Sequence, residues 1–197
     1  MKTLAFLVLA AATLALAGCG GDDDSDSDRA GAEQSTAASA QVPFDRAFID
    51  AMVPHHETAI EMAREAKEAG LKNPELVKIA DNIMATQQAE IDQMLEWRER
   101  WFGSSKRESE AAALAVLGLS PAEAGMEHSA ADVATADNVD QAFAGSMIGD
   151  HTGAIRMAEL AREKADHEEL KELAGDIIAA QQREIDIIQA YFQGAHG

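Results

Sequence analysis

Two adjacent histidines, His55 and His56, lie between two methionines, Met52 and Met62, in the stretch MVPHHETAIEMA. Imidazole nitrogen binds both Cu(I) and Cu(II), whereas the soft thioether sulfur of methionine selects Cu(I). These residue types at this spacing indicate a copper site and favour Cu(I) over Cu(II). A structural interpretation stays open, because methionines at helical spacing usually fill a core and an inward histidine is usually hydrogen-bonded there.

No arrangement of catalytic residues occurs in the sequence. The segment HETAI, residues 56–60, begins like the helix of zinc proteases, but Ile60 stands where the second histidine must be. There is no Glu-x-x-His pair for a di-iron carboxylate site, no GxSxG motif and no phosphate-binding loop. We therefore predict that the chain is not an enzyme; an enzyme with redox chemistry at bound copper is the alternative.

The His/Met stretch belongs to a segment that occurs twice. Residues 48–66 match residues 143–161, and residues 79–94 match residues 173–188. Both copies are rich in helix-forming Ala, Glu, Gln, Met and Leu and poor in β-branched residues. Each copy is therefore predicted to form two helices.

A turn joins the two helices within each copy. In the first copy Gly70 ends one helix, Asn73 caps the next and Pro74 takes its first position. The segment KADHEEL, residues 164–170, marks the corresponding turn in the second copy. Two antiparallel hairpins predict an all-α four-helix bundle.

Helical periodicity places the histidines and methionines on inward faces. The predicted inward face of the first helix holds Phe48, Met52, His55, His56, Ala59, Met62 and Ala63. The helix opposite presents Leu76, Ile79, Ile83, Gln87, Glu90, Ile91 and Met94, with Met84 at the edge. The corresponding row in the second copy is Phe143, Met147, His151, Ala154, Met157 and Ala158.

Polar residues interrupt the apolar faces at the level of the histidines. Residues of an antiparallel hairpin that face each other have a roughly constant index sum, which places His56 opposite Gln87 and His151 opposite Gln181. Because buried polar groups need hydrogen bonds, these residues are predicted to orient the imidazoles. The predicted partners are Gln87, Glu90, Gln181 and Glu184.

A helix breaker precedes the histidine in both copies, Pro54 in the first and Gly149 in the second. Proline inside a helix removes a backbone donor and kinks the chain, and glycine weakens a helix. We expect a kink that aims the adjacent His and Met side chains. Alternatively, Pro54 starts a helix at its first position.

The segment FIDAMVPHHETAIEMA followed by QQAEIDQM, and its second copy, resemble the bacterial family called domain of unknown function 305, which includes CopM-like copper-binding proteins. The resemblance extends over about residues 43–193. It implies an exported, ferritin-like four-helix bundle that binds copper through methionine and histidine. The family pattern marks Met52, His55, His56, Met62, Met147, His151 and Met157 as ligands.

The second copy departs from this pattern. Asp150 replaces the first histidine of the pair, and Ile178 and Ile188 stand where the first copy has Met84 and Met94. The second half is therefore expected to bind metal more weakly or not at all. The linker segment GMEH adds Met126 and His128 as further candidate ligands.

The N-terminus resembles a bacterial lipoprotein signal. Lys2 precedes an apolar run, residues 4–17, and the motif LAGC ends at Cys19, the only cysteine. A plain secretory signal or a membrane helix are the alternatives, but the run is shorter than the about 20 residues that a spanning helix needs. We predict a signal peptide at 1–18 and an acidic tether at 19–42, with lipid attached to Cys19.

The remaining chain is predicted to form one bundle, residues 43–193, made of copies 43–102 and 139–193 joined by linker 103–138. The full chain has a formal net charge of −19, which repels nucleic acid and attracts cations. We predict an extracytoplasmic, lipid-anchored copper protein that buffers copper or transfers it to a copper-handling partner; folding without metal is compatible with this prediction. The alternative is a structural or protein-interaction bundle at the cell envelope with buried histidines and no metal.

Overall fold

The computed structural model describes residues 42–195, and its regular structure in that range is helical. The helices are α1 (Phe44–Glu68), α2 (Pro74–Phe102), α3 (Glu110–Leu117), α4 (Ala130–Ala134), α5 (Val139–Lys164) and α6 (Glu168–Ala195). Helix α1 packs along α2, and α5 packs along α6, while α1 also contacts α5. The predicted all-α bundle of two hairpins is thus confirmed.

The predicted signal peptide, residues 1–18, and nearly all of the predicted tether, including Cys19, lie outside the described residues. Among the helices between residues 42 and 195, none combines the length and the apolar character that a membrane crossing requires.

The turn between α1 and α2 follows its predicted chemistry. Gly70 has a positive φ of 96°, a conformation that glycine adopts without strain. The Asn73 side chain accepts hydrogen bonds from the backbone N–H groups of Glu75 and Leu76, and Pro74 is the first residue of α2. The local sequence is sufficient to predict this turn, because helix caps and turns depend on neighbouring residues.

The turn between α5 and α6 depends on a distant residue. The buried carboxylate of Asp45, in the first turn of α1, accepts hydrogen bonds from the backbone N–H groups of Asp166 and His167, each at 2.9 Å. The His167 ring lies 2.6 Å from the same carboxylate and stacks on Trp101 at a centroid distance of 3.7 Å. This cluster joins the start of α1, the end of α2 and the second turn.

Helix α1 is more deeply buried than a single inward stripe would predict. The predicted inward residues are all buried, and Glu57, Glu61 and Arg64 are exposed. However, every residue from 47 to 53 is buried. The reason is that α3 and α4, both in the linker, pack against α1 as well.

Both helix breakers lie inside helices in the structure. Pro54 lies inside α1, which begins at Phe44, so the alternative that Pro54 starts the helix is wrong. Gly149 lies inside α5, which is helical on both sides of it. A Cβ atom at Gly149 would stand 2.7 Å from Nε2 of His128, so this glycine makes room for the linker.

A second glycine of α5 allows an even closer approach. A Cβ atom at Gly153 would stand 2.1 Å from the backbone carbonyl of Ala124, a distance that only a shift of the backbone could relieve. The linker is therefore packed directly on the α5 backbone.

Candidate metal site

His56 is completely buried, and its Nε2 lies 2.8 Å from Oε2 of Glu90 on α2. Within the described part of the chain, its other nitrogen, Nδ1, has no hydrogen-bond partner. A hydrogen bond at one ring nitrogen orients the ring and leaves the other nitrogen for a metal. His56 therefore has the arrangement of a supported metal ligand.

The partner of His56 differs from the one that the index sum predicts. Gln87 was expected opposite His56, but Glu90 makes the contact, and in the second hairpin Glu184 contacts His151 in place of Gln181. Side chains on a helix lean toward the N-terminus of that helix. In an antiparallel pair both side chains lean in this way, which shifts the contact by nearly one turn.

Gln87 and Gln181 do not orient the histidines by hydrogen bonds. Both are buried, and neither the amide oxygen nor the amide nitrogen of either side chain has a partner among the described residues. The expected hydrogen bonds from these two residues to the imidazoles are therefore not formed.

His55 is buried without any hydrogen bond of normal geometry to residues 42–195. Its Nε2 is 3.7 Å from Oδ1 of Asp150, which is too long for a hydrogen bond. Burial lowers the pKa of His55, and the attraction of Asp150 and the nearby carbonyl of Ala124 compensate only in part. The ring is therefore neutral near pH 7, the form that binds metals.

His55 and His56 have different neighbours although they are adjacent in sequence. Their ring centroids are 6.2 Å apart, and the ring planes are inclined by 63°. His56 contacts α2, whereas His55 lines a cavity of about 90 Å³ between α1, α5 and the linker. The other residues that line the cavity are Thr58, Glu110, Gly125, Met126, His128 and Asp150.

His151 is held between two carboxylates. Its Nδ1 donates to Asp150 at 3.2 Å and its Nε2 donates to Glu184 at 2.7 Å, so neither nitrogen is free for a metal. Burial alone would lower the pKa of His151, but the hydrogen bonds and charges of these carboxylates raise it to about 9. His151 is therefore a protonated imidazolium at neutral pH.

Asp150 interacts with both His55 and His151. Burial would raise the pKa of its carboxyl, but His55 and the hydrogen bond from His151 lower it below its ordinary value. The residue that replaces the first histidine of the second copy thus supplies a buried negative charge.

The predicted methionine ligands are mainly core residues by position. Met84 is half-buried at the edge of α2. The fully buried ones are Met52, Met62, Met94, Met147 and Met157. Within residues 42–195, no three His, Cys, Asp or Glu side chains converge on a common metal position. A site at His55 and His56 therefore needs thioether sulfur to reach three ligands.

Asp45, Asp50 and Arg98 are buried polar residues that the helical pattern did not identify. Charged side chains are rarely buried unless they are paired. A charged residue next to predicted core positions, such as Asp50 between Phe48 and Met52, was the available signal.

Comparison with known proteins identifies one protein family. The family model described as "Domain of unknown function (DUF305)" matches residues 21–98 and 45–192. Among proteins with curated descriptions, none matches this chain.

Solved structures with the same fold include copper-bound ones. CopM in its Cu(I)-bound form is 31% identical with a TM-score of 0.64, over 78% of this chain and 98% of CopM. CopM in its Cu(II)-bound form is 33% identical with a TM-score of 0.65, over 76% of this chain and 96% of CopM.

A Streptomyces coelicolor protein described as "putative secreted protein DUF305" is 21% identical with a TM-score of 0.62, over 74% of this chain and 90% of that protein. At this identity only the fold is comparable. The family model covers most of the bundle, and the solved structures reproduce its helices, so this chain belongs to the DUF305 family and is similar in structure to CopM.

Proposed function

We propose that this chain is an extracytoplasmic copper-binding protein that buffers copper or hands it on to a partner protein. The observation that carries the proposal is the set of buried imidazole nitrogens that have no hydrogen-bond partner within residues 42–195, namely both nitrogens of His55 and Nδ1 of His56. Unpaired buried polar atoms are costly and call for an explanation. The likeness to CopM, which is known with Cu(I) and Cu(II) bound, supports copper as that explanation.

The proposed ligands are Met52, His55, His56 and Met62, with Met84 or Met94 added from α2. Glu90 would hold the His56 ring through Nε2 and direct Nδ1 toward the metal. Thioether and imidazole together favour Cu(I). Met147, His151 and Met157 would bind weakly or not at all, since both nitrogens of His151 are engaged.

Competition titration tests the ligand assignment. The double variant His55→Gln/His56→Gln keeps side chains of similar size and is expected to bind Cu(I) at least about 100-fold more weakly, because removing ligands exceeds the usual effect of removing their supporting groups. The measurement is a titration of the purified bundle against a coloured Cu(I) chelator under reducing, oxygen-free conditions.

The matched control is Glu61→Gln/Arg64→Gln, which changes two exposed residues of α1 and preserves the net charge. It is expected to bind Cu(I) like the parent. Unchanged affinity in the histidine variant would remove His55 and His56 from the site, and absence of binding by the parent protein would remove copper.

A structural bundle at the cell envelope is the second candidate function. The contacts of His151 with Asp150 and Glu184 favour it, because they show that a histidine in this fold can serve packing alone. Under this function, the His55→Gln/His56→Gln variant loses thermal stability without any change in metal affinity.

We also propose attachment to a membrane through lipid on Cys19, on the strength of the LAGC motif. Cys19→Ser is expected to move the protein from the membrane fraction to the soluble fraction of its host cell. Mass spectrometry of the mature N-terminus is the direct measurement. An unmodified Cys19 in the mature protein would contradict the anchor.

A further inference from the structure

The linker between the two hairpins places a methionine and a histidine next to the buried His55. Met126 and His128 line the same cavity of about 90 Å³ as His55 and Asp150. His128 is exposed, Met126 is half-buried, and His55 is buried. The potential donors therefore follow one another from the surface to the interior.

Two glycines hold the linker in this position. Gly149 leaves the space that the His128 ring occupies, since a Cβ atom there would stand 2.7 Å from Nε2. Gly125 has a φ of +72°, and a Cβ atom on it would stand 2.5 Å from the backbone oxygen of Gly149. Because Gly125 directly precedes Met126, the close contact places Met126 against α5.

The electrostatics of the cavity suit a cation. Asp150 lines its buried end, and Glu110, in the first turn of α3, lines its exposed side. The ion pair with His151 partly neutralises Asp150, so the carboxylate of Glu110 supplies the attraction for cations at the opening. The overall charge of −19 acts in the same direction.

We propose that Met126 and His128 form the uptake point where a copper ion first binds before it passes to His55. The transfer is a ligand exchange: the bonds from copper to the Met126 sulfur and the His128 nitrogen break as bonds to His55 and the other resident ligands form, and the ion keeps its charge. His55 accepts the ion because both of its ring nitrogens lack a partner among the described residues. This inference rests on the proposed copper function and adds the route by which the site fills.

The rate of copper transfer tests the route separately from affinity. The variant Met126→Leu/His128→Gln is expected to take up Cu(I) from a coloured chelator complex at least about tenfold more slowly, on the scale of losing one supporting contact at a metal site. Its equilibrium affinity is expected to stay that of the parent, because both residues lie outside the resident ligand set. Stopped-flow absorbance measures the rate, and the competition titration measures the affinity.

Two further variants test whether the position of the donors at the cavity determines the uptake rate. Glu127→Gln changes the exposed residue between Met126 and His128, which does not line the cavity, and is expected to leave the rate unchanged apart from a small effect of charge. Gly149→Ala keeps every donor but displaces the His128 ring, and is expected to slow uptake.

An unchanged uptake rate in Met126→Leu/His128→Gln would overturn the proposed route. Equal losses of rate and affinity would also overturn it, because they would make these residues resident ligands. Absence of copper binding by the parent protein is a different outcome, which contradicts the proposed function itself.

Discussion

Replacing Asp50 by alanine is expected to lower the free energy of unfolding by about 3–5 kcal/mol, because it leaves the buried guanidinium of Arg98 without its counter-charge. Arg98 Nε donates to Asp50 Oδ1 at 2.8 Å, and both side chains are nearly inaccessible to solvent. Arg98 also donates to the carbonyl oxygens of Ser104, at 2.6 Å, and Lys106, at 2.7 Å. The pair therefore connects α1, α2 and the start of the linker. Urea unfolding followed by circular dichroism measures the loss.

An exposed ion pair on the same helix provides the control. Glu96 and Arg100 are bonded on the surface of α2, and Glu96→Ala is expected to change stability by only about 0–1 kcal/mol. The double variant Asp50→Ala/Arg98→Met removes both buried charges and should be more stable than Asp50→Ala alone. If Asp50→Ala is no more destabilising than Glu96→Ala, the buried pair does not have the assigned role.

Raising the pH through 9 is expected to remove about 3 kcal/mol of stability that protonated His151 provides. The pKa of His151 is raised from 6.5 to about 9 in the folded protein, so the folded state binds the proton more tightly than the unfolded state does. The contribution is therefore complete below about pH 6.5 and is lost as the pH rises through about 9. The measurement is urea unfolding of the metal-free protein, with chelator present, at a series of pH values.

His151→Gln is the matched variant for this prediction. Glutamine cannot take up the proton, so the free energy of unfolding of this variant should vary much less than that of the parent between about pH 6.5 and about pH 9. Glu184→Gln should reduce the same pH dependence in part, because the Nε2 hydrogen bond then loses its charged acceptor. Parallel curves for the parent and His151→Gln would show that His151 is not protonated in the folded state.

The inward faces of the bundle helices were predictable from sequence because burial follows the local helical period. Met52, Met62, Met147 and Met157 are all fully buried, as that period predicts. The contact of His56 with Glu90, one turn beyond the expected Gln87, was not predicted by the index sum, which follows Cα positions and ignores the lean of side chains.

The buried charged residues Asp45, Asp50 and Arg98 were not predictable from helical periodicity. Asp50 pairs with Arg98, forty-eight positions further along the chain, and Asp45 accepts hydrogen bonds from the turn before α6. A buried carboxylate is stable only where a hydrogen-bond donor or an opposite charge contacts it. The sequence contains both partners but does not indicate that they meet.

By itself, the sequence determined the two hairpins, the turn at Asn73 and Pro74, and the inward position of the histidines, because caps and helical period are local properties. Only the tertiary structure decided which neighbour each histidine has. His56 contacts α2, His55 opens on the linker cavity, and His151 is enclosed by carboxylates. Adjacent residues on a helix point about 100° apart, so their surroundings depend on which elements pack on each side. The packing of the linker on α5 is one such long-range contact. The space that Gly125, Gly149 and Gly153 leave is therefore needed because of a backbone that is distant in sequence.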